Sequence, residues 1–555
     1  MSATWITDLR CAQPEAAWTD ADDHIDHHPA AQPAGGWRTI AYCADEIAGH
    51  CLQTSLADSA VLSIALPVHG WHAISLGMAG HYDQAVLDVR LGGGRWHTVR
   101  AGGGPVQNVP WLIADLHGQA LQVRYPRDLS QLSGRLRGQV LAARLFWVHL
   151  QPLDADQVAA MEQAQSHPLV YMNDGHSLFY WDVDEQEAIG PELVTRSVAR
   201  FAGSEWQTLC FCNGGADLVN YPSRVGTLFG DGGWDLPRAT DRKVHRVLQG
   251  LIDARHDTLR LALDTAATQG HRRWFYIRPQ AWVGEPPFDH AFRSRFFSEH
   301  PQWRCRGRDG RPLGKMSIAF PEVRQQLNAI LEEGLQRGAE GLAIALVRAL
   351  PLAWYEQPVL ERLAGQGVAS DSPPAPDDPR LLSVWGEFFE TWLIEIRALL
   401  ERYRPADAAP YPLVLIGGAN LAWHSRFGID LRALAQQGRF DVFMAYPAGS
   451  EDGLIDVSGL AEGFAGTAVQ LLPGLGDWRD QGMPLGEIRR RAHAYYRAGA
   501  HGLCRWDTSG LLIGTGLDRP QLQALWVEQL MAEADRPLNE FAGLDLDEWP
   551  ALDGF

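Results

Sequence analysis

Eight short apolar runs, separated by stretches with helical spacing, constrain this chain more than any other feature of its sequence. They occupy residues 169–173, 208–213, 274–279, 342–347, 413–417, 440–446, 468–473 and 502–506. The clearest unit lies within 321–358. There Val323, Leu327, Ile330, Leu331 and Leu335 recur at the period of one helix face, behind a helix-opening Pro321 and ahead of a terminating Gly338. Residues 342–347 then form a continuous apolar run, the pattern of a parallel strand covered on both faces. Further helices are expected over 258–268, 381–403 and 485–498. In the second of these, Trp385, Phe388, Phe389, Trp392, Leu393 and Ile396 share one face. Eight strands alternating with helices are the pattern of a (β/α)8 TIM barrel, whose chemistry sits at the C-terminal strand ends.

The chain before residue 169 reads differently. Residues 1–36 are a polar segment rich in Asp, His, Pro and Ala. Its cluster Asp22, Asp23, His24, Asp26, His27 and His28 has the side chains for a metal but no helix or strand to set ligand geometry, so a solvated segment is expected. Residues 37–153 carry short apolar runs punctuated by turn residues, which argues for a β-sandwich that either binds carbohydrate or packs on its neighbour. Exposure of Trp71, His72, Trp96 and His97 decides between the two. A linker helix in 154–168 leads to the barrel, 169–555, taken as the catalytic domain. The expected fold class is thus a multidomain β plus α/β chain, an N-terminal β-sandwich followed by a (β/α)8 TIM barrel.

Charge and composition narrow the partners. A formal charge of −19, without a long basic run, argues against nucleic acid and anionic membranes. The 21 Trp supply flat apolar faces with one donor each, which suits the stacking of sugar rings. Seven scattered Cys do not form a disulfide framework. No Walker-type, CxxC-type or HxxE-type pattern occurs, so neither cofactor nor metal is expected, and no G-x-S-x-G elbow speaks for an esterase. The start of the chain has no basic, then apolar leader, and a cytoplasmic location is expected. Oligomeric state is left open.

Polar groups follow the expected barrel strands. Asp174 follows the first, Asp217 and Tyr221 the second, Arg278 and Trp282 the third, and Arg348, Tyr355 and Glu356 the fourth. Asn420 follows the fifth, Tyr446 the sixth, and Trp506 and Asp507 the eighth. Acids, amides, guanidinium groups and aromatics together suggest a broad polar pocket for a sugar. Glycoside hydrolysis needs two carboxyl groups across the scissile bond, one kept protonated by burial or a like charge. Glu356 is the expected acid, with Asp507 or Asp217 as its partner and Asp174 behind them. Each acid taken singly is as readily a helix cap or an ion pair. The remaining residues named here are expected to bind substrate, with Arg348 orienting a carboxylate or sugar hydroxyls.

The segments GWHAISLG, GGADLVNYPSRVG, FYIRPQAW, FFSEHPQWRCRGRDG, FPEVRQQL, VRALPLAWYEQP and FGIDLRALAQQGRFDVFMAYP jointly resemble bacterial proteins described as family-ten-glycosylhydrolase-like. The resemblance implies a β-rich N-terminal domain, a TIM barrel and a carbohydrate-active function. The sequence departs from many barrel glycosidases in one respect. The fourth strand, GLAIALVRA, carries no carboxylate before Arg348, and no Asn-Glu pair follows it, so Glu356 must reach back from the loop.

Three readings follow. The first is a glycoside hydrolase acting on an oligo- or polysaccharide in a Trp-lined cleft. The second is a non-catalytic carbohydrate-binding protein with a degenerate barrel. The third is a lyase or isomerase of uronic sugars that clamps a carboxylate with Arg278 and Arg348.

Overall fold

The computed structural model describes residues 2–505 apart from 21–34, 45–46, 55–57, 80–83, 95, 103–105, 127–142, 165–166, 177, 180–188, 200, 203–205, 233–235, 281–292, 348–349, 369–372, 451–453, 476–490 and 493. The N-terminal acidic and histidine cluster and most of the helix expected over 485–498 lie outside the described residues.

The N-terminal domain is a sandwich of a seven-stranded and a four-stranded sheet. At the centre of the larger sheet, Ala143–Pro152 pairs antiparallel with Trp71–Met78 on one side. On its other side it pairs first with Ile47–Thr54 and then with Thr4–Ile6. The smaller sheet orders Leu62–Ala65, Ala120–Arg124, Gln84–Leu91 and His97–Gly102. Strand alternation sends Ile74, Leu76, Leu121, Val123, Leu145 and Val148 into the core between them, each fully buried. Each such side chain contributes about 1.5–3 kcal/mol relative to exposure. The described part of the polar segment is not a free tail. Thr4–Ile6 and Trp18–Asp20 are strands of the larger sheet, and Leu9, Ala12 and Ala17 enter the core. The linker helix, Ala155–Ala164, starts on a reciprocal cap. Gln157 N–H donates to the Asp154 carboxylate at 2.8 Å, and Asp154 N–H donates to the Gln157 amide oxygen at 2.7 Å.

All eight expected barrel strands form one parallel sheet. Strands one to eight are Leu169–Asn173, Thr208–Cys212, Arg272–Ile277, Leu342–Ala345, Leu413–Gly417, Val442–Ala445, Gln470–Pro473 and Leu503–Arg505. Neighbours in the sheet run from seven down to one and then to eight. The barrel closes between seven and eight. There Gly474 bridges Cys504 in parallel, Leu475 N–H donates to Cys504 O at 2.9 Å, and His501 N–H donates to Leu471 O at 2.9 Å.

The helices expected by period appear as Thr258–Thr268, Pro321–Gln336 and Pro379–Tyr403. In Pro321–Gln336 the face carrying Val323, Leu327, Ile330 and Leu331 is buried. Gly334 on that helix lies against the Phe275 ring of strand three, where a Cβ would overlap the ring. Close helix-to-barrel packing at this point therefore depends on a residue without a side chain. Gly338, at φ +99°, turns the chain into strand four. Among the described residues no helix is long and apolar enough to cross a membrane.

Candidate functional site at the barrel mouth

The period of two along each strand decides what the barrel interior holds. Val170 and Met172, Cys210 and Cys212, Trp274 and Tyr276, and Ala343 and Ala345 form one buried interior cluster with Met444, Tyr446 and Cys504. Their neighbours in sequence, such as Tyr171, Phe211 and Phe275, belong to the outer core under the helices. Continuing the alternation by one step beyond strands one and three brings Asp174 and Arg278 to the mouth.

These two side chains face each other. Arg278 Nη2 stands 3.7 Å from Asp174 Oδ2, with side-chain exposures of 15% and 12%, so the pair is mostly buried and keeps a small solvent-accessible area. Below it are the buried Tyr276, Cys212 and Tyr446. Burial opposes the charge of Arg278, and of the neighbouring groups that offset it the Asp174 carboxylate is the one ionised at neutral pH. Burial pushes the Cys212 thiol up to about 11 against the opposing pull of Arg278, and raises the Tyr276 phenol well above its ordinary value. At neutral pH both are therefore uncharged, and Cys212 is no thiolate nucleophile. The Tyr446 hydroxyl contacts Met172 Sδ at 3.3 Å across the barrel.

The loop carrying Asp174 is held on several sides. Asn173 Oδ1 accepts Gly175 N–H at 2.9 Å, and Asp174 Oδ1 accepts His176 N–H at 2.9 Å. Asn220, after strand two, donates from Nδ2 to Gly175 O at 2.6 Å and to Cys212 O at 3.3 Å. Gly175 has φ +70°, and a Cβ there would strike Asn220 and the Cys212 carbonyl. The ring of His176 fills the space beside Gly214 and meets Phe229 edge-on at 5.1 Å. Burial pushes its pKa down to about 4 despite the nearby Asp174, so the imidazole is neutral.

Other expected site residues are elsewhere. Glu356 does not reach back into the mouth. It has no exposed surface, and its carboxylate accepts Trp354 N–H at 3.0 and 3.1 Å, Arg306 N–H at 3.4 Å and the Ser317 hydroxyl. These donors come from the hairpin Arg304–Arg306/Pro312–Met316 and its exit, and from the loop after strand four, so Glu356 ties two loops together. Burial raises its pKa, and the hydrogen bonds only partly oppose this. The elevation expected of an acid is present, but not the access. Tyr355 donates to Pro374 O at 2.9 Å and packs edge-on against Trp385. Tyr221 is fully buried against Pro321–Gln336, donating to Glu333 at 3.0 Å under the Arg337 guanidinium. Asp217 is fully buried in the loop after strand two. Asn420 spends its side-chain oxygen on capping Leu421–Ser425, accepting Trp423 N–H at 2.8 Å. Trp282, Arg348, Trp506 and Asp507 lie outside the described residues.

Sequence reasoning did not single out Tyr276 and Cys212 beneath the pair, nor the half-buried Trp423 on Leu421–Ser425 after strand five. The first two were accessible from alternation alone, since each lies two residues from another inward group. Trp423 gives no such signal, because it sits on a short helix whose orientation depends on its contacts. In the sandwich, His72 and His97 are buried, and His97 Nδ1 accepts Trp111 Nε1–H at 3.1 Å. Trp96 is half-buried, with Arg90 and Arg124 guanidinium carbons 4.4 and 4.2 Å from its ring. Trp71 lines a mainly apolar cleft of about 350 Å3 against the linker helix.

Neither a family model nor a curated protein matches the chain. Among solved structures, it is similar to an alpha-galactosidase from Thermus thermophilus, with 11% identity over 88% of this chain and 94% of that one and a TM-score of 0.36. A GH26-CBM35 beta-(1,4)-mannanase from Podospora anserina is similar at 10% identity, 86% and 87% coverage and a TM-score of 0.29. A beta-galactosidase from Halorubrum lacusprofundi gives 14% identity, 66% and 58% coverage and a TM-score of 0.37.

Proposed function

We propose that the chain is a carbohydrate-active barrel protein, a glycoside hydrolase whose oligosaccharide substrate binds at the C-terminal mouth. The observation that carries this reading is the Asp174–Arg278 pair. Its 3.7 Å separation is beyond hydrogen-bond range, and both side chains keep solvent access. A sugar hydroxyl placed between them donates to the carboxylate and accepts from the guanidinium, both charge-assisted bonds. The neutral phenols and thiol beneath form a floor without competing charge.

In this reading Asp174 replaces Glu356 as the carboxylate that meets substrate. Its partner is Asp507, two residues beyond Arg505 in the chain; Arg505 ends the strand that pairs with strand one. The sealed position of Glu356 gives it a loop-positioning role. The test is release of reducing ends from a panel of oligosaccharides by wild type, Asp174→Asn, Asp507→Asn and Glu356→Gln. Loss in the two Asp variants with retention in Glu356→Gln supports the assignment, and full activity in Asp174→Asn defeats it.

One observation favours the non-catalytic alternative. Among the described residues, Asp174 is the one carboxylate on an inward strand-end position. Sugar binding without cleavage of any panel member, at any pH from 4 to 9, would select that reading.

A further inference from the structure

We propose that Trp423 is a stacking platform for a sugar ring on the strand-five side of the same mouth. This rests on the carbohydrate reading above and adds a binding residue to it.

Trp423 lies on Leu421–Ser425, the short helix that follows strand five. Its position is over-determined. Asn420 caps the helix through Trp423 N–H, and the buried His424 accepts Gly418 N–H on Nε2 at 3.0 Å while Nδ1 lies 2.8 Å from Asn420 O. With Nε2 accepting, Nδ1 carries the proton and donates to that carbonyl. The helix is thereby pinned to the end of strand five.

The indole packs on backbone. A Cβ on Gly418 would fall 2.5 Å from its Cε3 and 2.8 Å from its Cδ2. A Cβ on Gly449, in the loop after strand six, would fall 2.6 Å from its Nε1. Gly449 also has φ +78°, a conformation that favours glycine. His424 and Phe427 meet the ring edge-on at 4.8 and 5.6 Å. Despite these contacts Trp423 remains half-buried, whereas Trp206, Trp392, Trp147 and Trp111 elsewhere in the chain are sealed. A rigid, partly open indole backed by two glycines, at the strand ends opposite the Asp174 side, presents an apolar face with little ordering entropy left to lose. A pyranose ring held by Asp174 and Arg278 through its hydroxyls is the ligand class that uses such a face.

The test measures binding of cellotetraose, mannotetraose, xylotetraose and raffinose to the full chain by calorimetry and by tryptophan fluorescence. Trp423→Ala is expected to lose about tenfold or more in affinity for whichever probe binds wild type, and Trp423→Tyr to recover most of it. In Trp423→Phe, binding persists but the probe-induced fluorescence change shrinks, an effect that a merely structural role for Trp423 would not produce. Thermal unfolding of each variant separates loss of fold from loss of binding. Affinity within twofold of wild type in a folded Trp423→Ala overturns the inference while leaving the carbohydrate reading intact. Failure of wild type to bind any of the four overturns both.

Discussion

The carboxylate of Asp174 and the guanidinium of Arg278, brought from strands one and three, stand 3.7 Å apart at the barrel mouth. Neither strand is the other's hydrogen-bonded neighbour, because strand two lies between them. The pair therefore bridges over the end of strand two, on one side of the mouth. Arg278→Ala is expected to weaken sugar binding by about 1.5–3 kcal/mol, the worth of a hydrogen bond to a charged group. Arg278→Lys should recover little of this, since a point charge does not reproduce the planar fork. Calorimetric titration of both variants checks the prediction, and equal affinities in wild type and Arg278→Ala would remove the pair from the site.

Asn220 offers a test of preorganisation. Its amide bonds to Gly175 and Cys212 carbonyls lock the loop that carries Asp174, and Asn220→Ala leaves both carbonyls without it. The expected cost is about 1–3 kcal/mol of stability by thermal or urea unfolding. Sugar binding should fall further than that of an equally destabilised variant of the sandwich core, such as Ile74→Val.

How much of this was legible in the sequence depends on the kind of information required. The barrel was, because eight apolar runs and the helix faces at Val323, Leu327 and Ile330 are local patterns. Asp174 and Arg278 were legible as strand-end residues. The burial of Glu356 was not, since it depends on the hairpin Arg304–Arg306/Pro312–Met316 folding across the loop after strand four, a contact between segments about 50 residues apart. Tyr221 failed for the same reason: its partner Glu333 lies 112 residues away, on a helix whose polar positions read as solvated.

Glu356 yields a prediction in pH. Its carboxyl pKa is raised in the folded state, so folding favours the protonated form. The stability this contributes is fully present below the ordinary glutamate value and is lost as pH rises through the folded pKa. The difference in unfolding free energy between wild type and Glu356→Gln should therefore shift against wild type as pH climbs from about 4 into the neutral range. Glu356→Ala, which leaves the Trp354 and Arg306 N–H groups without their acceptor, should cost about 1–3 kcal/mol near pH 4 and less as pH rises. A pH-independent difference for Glu356→Gln would contradict the burial argument.

Gly334 puts propensity and packing in direct opposition. Alanine favours a helix interior by about 1 kcal/mol over glycine, and Gly334 lies mid-helix in Pro321–Gln336. A Cβ there overlaps the Phe275 ring, which is fully buried on strand three and cannot swing aside. Overpacking of this kind costs about 1–3 kcal/mol, so Gly334→Ala should destabilise the protein on balance. Shortening the ring in Gly334→Ala/Phe275→Leu should restore part of the loss, a coupling that a double-mutant cycle in urea measures.

His424 sets the last expectation, on acid stability. Burial depresses its pKa to about 4 against the opposing Asn420 carbonyl hydrogen bond, and the neutral ring keeps Nε2 free to accept Gly418 N–H. A depressed base pKa contributes stability that is present above the unfolded value and lost as pH falls through the folded one. The window therefore runs from about 6.5 down to about 4, and with a span of this size the loss is at most about 3 kcal/mol. His424→Gln, which keeps an acceptor without a titrating proton, should flatten that part of the stability profile. Because the same imidazole pins Leu421–Ser425 under Trp423, sugar affinity in wild type should fall over the same window, and in His424→Gln it should not. Parallel titration of stability and binding separates this link from other acid effects on binding, which act in both proteins alike.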